Sequence, residues 1–280
     1  MPGDVMLVVL FGAVLHASWN ALVKSGSDKF VDTALITTSA AVIAAACLPF
    51  LPLPAQASWP YLAASVVIHV LYFSLVAAAY RAGDMSFAYP LMRGTGPLIV
   101  AALSAAVLGE RLSAGAWAGV LLICGGVLGL TLVYRRPRGW ILAPTTFALG
   151  NATVIALYTF VDGVGARHSG HAFAYTFWMF VLTGPLLLAW PAARRLPDLR
   201  IQFAARWRLG LIGGACTLGS YALALWAMTK APIAPVAALR ETSILFGMAI
   251  AALVLKERFG WTRHVAAGAV ALGAITLRLG

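Results

Sequence analysis

The chain has 280 residues, 61% of them hydrophobic and 10% charged, with a mean hydropathy of +0.89. A soluble domain carries about a quarter charged residues, so this composition excludes one and describes a multispanning membrane protein. The net charge of +11 does not call for a nucleic-acid partner, because the cations sort by loop instead of gathering on a basic, aromatic face.

A bilayer core of about 30 Å takes about 20 apolar residues of helix. Ten such stretches follow one another at roughly 4–23, 31–51, 60–80, 87–108, 114–134, 140–161, 171–190, 207–228, 234–255 and 261–279. Their apolar runs are continuous, which excludes the alternation of a lipid-facing barrel. The expectation is an all-α integral membrane protein of ten transmembrane helices. The first span lacks a basic leader and no small-residue cleavage pattern follows it, so it reads as a retained helix.

That first span carries HASWNALVK at 16–24. His16, Asn20 and Lys24 are spaced by four and share one face, with Trp19 beside them. Polar groups on a lipid-facing stripe are costly, so this face is expected to point inward. An imidazole there can titrate near neutral pH, which makes His16 a candidate for proton coupling. Interhelical hydrogen bonding by His16 and Asn20 is the alternative. Lys24 falls at the interface. His69 and Tyr72 of the third span, with Tyr221 and Trp226 of the eighth, complete an aromatic cavity if they face inward.

The fourth span holds AYPLMRGTGP at 88–97 and so places Arg93 among apolar residues. Insertion scales charge about 2.5–3.5 kcal/mol for arginine at a helix centre, and such residues face a cavity or a partner. Snorkelling to the interface is the other reading. Pro90, Gly94, Gly96 and Pro97 surround it, and interrupted helices mark binding sites in transporters. The sixth span contributes Asn151, Tyr158 and Asp162, the last near the membrane edge. Arg240 and Glu241 lie in the ninth, and Glu241 is the one carboxylate that reads as intramembrane, which makes it a second proton-coupling candidate. Arg93 and Arg240 suit a substrate carboxylate, because a planar guanidinium can hold it with two bonds.

Cys47, Cys124 and Cys216 stand in no metal-ligand spacing and read as packing residues. His168 and His171 have no third ligand nearby, so no metal site is expected. The chain shows no nucleotide-binding loop, nucleophile elbow or metalloprotease word. Neither a cofactor nor an enzymatic activity is therefore expected.

Sliding the chain on itself by 147 residues aligns Arg93 with Arg240, Thr95 with Thr242, Glu110–Arg111 with Glu257–Arg258 and Gly126 with Gly273. Two repeats follow, at 1–134 and 140–280, joined by a basic linker at 135–139. With five spans in each, the second repeat enters the membrane inverted. Glu110 and Glu257 read as caps or interfacial anchors. Two of the 20 Lys and Arg lie within spans. Fourteen fall on the face holding loops 1–2, 3–4, 5–6, 7–8 and 9–10, and four (Arg111, Arg167, Lys230 and Arg278) on the other. This bias puts the first face in the cytoplasm and both termini outside.

A duplicated five-helix unit, the VLGERL and VLKERF words after the fourth helix of each unit, and the aromatic-Asn-Lys cluster in the first helix resemble the drug/metabolite transporter superfamily, in particular its EamA-type ten-helix exporters. The resemblance covers nearly the whole chain. It implies a 5+5 inverted repeat around a central cavity, residence in a bacterial-type inner membrane, and export of small metabolites such as amino acids, as in exporters of the YddG type. Many relatives keep both termini in the cytoplasm, whereas the arginine count here argues the reverse and is followed.

The expected function is alternating-access export of amino acids or related carboxylated or zwitterionic compounds. The candidate cavity residues are Arg93, Arg240, His16, Asn20, Trp19, His69, Tyr72, Tyr158 and Tyr221. A cationic-drug:proton antiporter is disfavoured by Coulomb repulsion from the arginines, and a passive scaffold leaves their mirrored positions unexplained. The partners expected are a small-molecule substrate and the lipid bilayer, with no nucleic acid, and a 5+5 chain can enclose its cavity as a monomer.

Overall fold

The computed structural model describes residues 1–25, 29–82, 85–133, 142–253, 256 and 259–280. The linker expected at 135–139, together with Glu257 and Arg258, lies outside the described residues. All regular structure among those described is helical: α1 (Gly3–Ser25), α2 (Lys29–Cys47), α3 (Trp59–Ala82), α4 (Met85–Leu108), α5 (Ala114–Gly129), α6 (Leu142–His168), α7 (Ala172–Met228), α8 (Ile233–Arg240), α9 (Ser243–Leu253) and α10 (Trp261–Leu279). Short 3-10 turns at 48–50, 56–58 and 130–133 complete it. Seven described stretches are long and apolar enough to cross a membrane.

Three boundaries differ from the sequence expectation. Spans seven and eight form one helical run, α7, whose 57 residues would reach about 85 Å if straight, nearly three bilayer cores. The run doubles back instead. Gly184 on one limb and Gly214 on the other both face the same part of α2, since a Cβ at Gly184 would lie 2.6 Å from that of Ala41 and one at Gly214 2.7 Å from the Ala40 nitrogen. Val31 and Ala34, at the start of α2, pack with Leu188, Leu199 and Phe203, so the reversal falls between Leu188 and Leu199. Second, the ninth span breaks into α8 and α9 at a turn over Glu241 and Thr242. Third, α4 stays helical through Pro90 and Pro97, although the missing N–H of Pro97 leaves the Arg93 carbonyl without its usual helical donor.

The two repeats meet through glycine faces, the device by which membrane helices approach closely when lipid offers no hydrophobic drive. In α5 and α10 the approach is reciprocal: a Cβ at Gly119 would stand 2.9 Å from the Gly273 carbonyl, and one at Gly273 2.8 Å from the Gly119 carbonyl. The buried core runs through both repeats, from Val5 and Val9 of α1 to Val270 and Leu277 of α10. Among the described residues all three ion pairs, Asp32–Arg206, Arg93–Glu241 and Glu110–Arg167, join the first repeat to the second.

Candidate functional site

A cavity of about 150 Å³ lies between the repeats. α1 supplies His16, Trp19 and Asn20, α3 supplies His69 and Tyr72, and α4 supplies Arg93. Tyr158 comes from α6, Tyr221 from the second limb of α7, and Arg240 from the end of α8. The structure thus brings the nine sequence candidates around one space. Trp226 is absent from the lining and packs against the core instead. Lining residues that the sequence reading passed over include Thr33 and Thr37 on α2, Tyr89 on α4, and Met179, Phe180 and Thr183 on the first limb of α7.

The helices place these groups in two layers. His69 stacks at a tilt on Tyr158, centroids 4.5 Å apart, and meets Tyr221 edge-on at 6.0 Å. Tyr72 is edge-on to Tyr158 at 5.5 Å. These rings form the apolar wall. The polar layer is built on α1, where the Asn20 amide donates to the His16 carbonyl at 2.8 Å and the Trp19 indole N–H donates to His16 Nδ1 at 3.3 Å. Arg93 Nη2 lies 3.5 Å from His16 Nε2. A neutral imidazole has one lone pair, so it cannot accept from both donors, and the shorter Trp19 contact is the better bond.

The two arginines occupy different electrostatic settings. Arg93 is buried, 6% exposed, and its Nε is 2.9 Å from Oε2 of Glu241, itself 3% exposed. The N–H does not point at that oxygen, so the contact is an ion pair without an aligned hydrogen bond. Glu241 sits at the turn between α8 and α9, which lets an acidic side chain from the second repeat reach α4 of the first. Arg240, one residue earlier, lies with its guanidinium carbon 5.1 Å from the centre of the Tyr221 ring, within cation–π range. Among the described ion pairs none involves Arg240. Arg93 is thus in contact with the carboxylate, while Arg240 lies over the Tyr221 ring on the cavity wall.

Asp162 departs from its expected place. The helix that carries it continues to His168, and the side chain is fully buried, with 0% exposure, where the sequence reading set it near the membrane edge. Its Oδ1 accepts from Tyr175 Oη at 3.0 Å, and Oδ2 accepts from Tyr221 Oη.

The lining includes Asn20 near the end of α1, Thr33 near the start of α2 and Leu187 on the first limb of α7. At the C-terminal end of α4 a set of contacts joins the two repeats. Gly109, in the left-handed region at φ +64°, ends α4, and the Glu110 N–H turns back to the Ser104 carbonyl at 3.2 Å. This aims the Glu110 side chain at the second repeat. There its Oε1 meets Arg167 Nη2 at 2.7 Å and its Oε2 accepts from the Ile233 N–H at 3.1 Å, capping α8. Arg167 also donates to the Met228 and Ala231 carbonyls at 2.8 and 3.0 Å. Nearby, Tyr61 stacks on His168 at 5.5 Å, and the Ala55 N–H donates to the Ser169 carbonyl at 2.9 Å. Among the described residues no group of three or more His, Cys, Asp or Glu could hold a metal ion.

The profile of the EamA-like transporter family matches residues 4–132 and 143–279, one copy per repeat. A solved structure, described only as the crystal structure of a protein, matches over 100% of this chain and 98% of its own, with 17% identity and a TM-score of 0.74. At that identity the likeness is one of fold. No protein of curated function matches.

Proposed function

This chain belongs to the EamA-like transporter family of the drug/metabolite transporter superfamily, and we propose that it is a secondary exporter of amino acids or related carboxylated, zwitterionic metabolites. In this reading ten helices cross the inner membrane as two inverted five-helix repeats, and one chain suffices for transport. The cavity opens first to one side and then to the other as the repeats rock. The end carrying fourteen of the loop cations faces the cytoplasm, both termini face outward, and the conformation described is the one that loads substrate from inside.

The observation that carries the substrate class is the difference between the two arginines. Glu241 meets the charge of Arg93, while Arg240 lines an aromatic cavity with its guanidinium over Tyr221. A carboxylate can take that fork with two bonds, and the rings accommodate an apolar body. Lipophilic cations meet Arg240 repulsively, which disfavours a multidrug antiporter.

The test is counterflow in proteoliposomes loaded with mixed amino acids and supplied with a radiolabelled amino-acid mixture. Exchange is expected in the wild type, competed by carboxylated and zwitterionic compounds and not by quaternary amines, and lost in Arg240→Ala. Competition by the amines alone would overturn the substrate class and favour the antiporter.

A further inference from the structure

Asp162 is an ionisable side chain within a membrane-spanning helix, an expensive placement that by default signals a role. It does not line the cavity, yet one bond connects it to a residue that does. Tyr221 donates its hydroxyl to Asp162 Oδ2 while the face of its ring lies beneath Arg240, 5.1 Å from the guanidinium carbon. The chain Asp162–Tyr221–Arg240 therefore joins a fully buried carboxylate on α6 to the cavity cation on α8 through a ring on α7. A phenol that donates to a carboxylate gains electron density in its ring, and a richer ring holds a guanidinium more firmly. The second oxygen of Asp162 accepts from Tyr175, which does not line the cavity. The hydrogen bonds Asp162 accepts thus come from two hydroxyls, one on each limb of α7.

Resting on the reading of Arg240 as the carboxylate anchor, we propose that Asp162 is a positioning residue: through Tyr221 it holds Arg240 over the cavity in the orientation that receives substrate. The two arginines are then compensated in two ways, Arg93 directly by Glu241 and Arg240 at one remove by Asp162.

Two measurements decide it. The first needs no substrate: purified protein is treated with phenylglyoxal, and modification of Arg240 is followed by mass spectrometry, with Arg93 in the same molecule as reference. Asp162→Asn and Tyr221→Phe are each expected to speed modification of Arg240 by about tenfold or more, the scale of a lost charge-assisted bond. The double variant is expected to go no faster than either single one. Tyr175→Phe, which also loses a bond to Asp162, is expected to leave the rate unchanged. Equal rates in Asp162→Asn and wild type, additive effects, or the same acceleration in Tyr175→Phe would each overturn the relay, the last by making Asp162 a helix staple only. The second is counterflow of the radiolabelled amino-acid mixture. Both relay variants are expected to raise the apparent half-saturation concentration about tenfold with little change in maximal rate. A lowered maximal rate at unchanged half-saturation contradicts positioning. Absence of exchange in wild-type vesicles defeats the substrate reading, while the phenylglyoxal result still decides the relay.

Discussion

Arg93 of the first repeat and Glu241 of the second approach to 2.9 Å at a place where both side chains are almost fully buried. Removing one partner of such a pair leaves a charge with no counter-ion in a low-dielectric interior, a loss of about 3–5 kcal/mol, whereas replacing both by apolar residues is often neutral. Glu241→Leu and Arg93→Met are each expected to lower the midpoint of thermal unfolding in a fixed detergent, and the two together to recover most of it. Independent, additive losses would show that the pair is not a unit. Transport is expected to fail in the double variant even where stability returns, because Arg93 also lines the cavity.

Glu110 of the first repeat pairs with Arg167 of the second, and the fork of Arg167 reaches two carbonyls besides the carboxylate. Lysine cannot make that set of bonds. The pair is partly exposed, with side chains 12% and 31% accessible, so its worth is discounted to about 1–2 kcal/mol. Glu110→Gln and Arg167→Lys are each expected to part the repeats here more often. A cysteine introduced at Ala231 then reacts several-fold faster with a membrane-impermeant maleimide added from the Arg167 side. Unchanged labelling in both variants would show that the pair does not hold the repeats together there.

How far these features could be read from the residues alone depends on how rare they are within apolar runs. Arg93, Arg240 and His16 stand out because membrane helices seldom hold ionisable groups, and the helical spacing of His16 with Asn20 orients them together. Thr33, Thr37 and Tyr89 gave no such signal, since threonine and tyrosine are ordinary packing residues in a membrane helix. Asp162 was misplaced for a physical reason. Hydropathy ends the sixth span near 161, but Gly163 and Gly165 admit Ile233 and the Tyr175 ring so closely that the helix continues, buried as far as Ala166, to His168. The prolines around Arg93 suggested a broken helix there, yet the break lies in the other repeat, at Glu241. Proline removes one bond and can be absorbed by neighbours, whereas the turn at Glu241 is held by local bonds such as Ile244 N–H to the Glu241 carbonyl at 3.0 Å.

The α5–α10 contact distinguishes glycines that must be glycine from those that need not be. A Cβ at Gly126 would meet the Ala266 carbonyl at 2.9 Å, and one at Gly273 the Gly119 carbonyl at 2.8 Å, both backbone atoms that cannot rotate away. Gly125, on the next residue, faces open space. Gly126→Ala and Gly273→Ala are each expected to destabilise by roughly 1–3 kcal/mol, the cost of overpacking. Gly125→Ala is expected to be neutral or slightly stabilising, because alanine favours helix. Equal unfolding midpoints for Gly125→Ala and Gly126→Ala would contradict the close approach.

The surroundings of His16 bear on whether it carries a coupling proton. Both ring nitrogens face donors, the Trp19 indole N–H and the Arg93 guanidinium. An imidazolium has no lone pair for either, and it would stand beside two cavity arginines with no carboxylate within ion-pair range among the described residues. His16 is thereby cast as a neutral imidazole that accepts from the Trp19 indole through Nδ1 and adds no further charge beside Arg93. His16→Gln, whose amide oxygen can still accept, is expected to keep counterflow within about threefold of wild type, whereas His16→Leu, which offers no acceptor, is expected to reduce it about tenfold. If a pH gradient drives accumulation in wild-type vesicles, His16→Gln is expected to preserve that response. Counterflow intact but accumulation abolished in His16→Gln is the pattern of a proton carrier, and it would return His16 to that role.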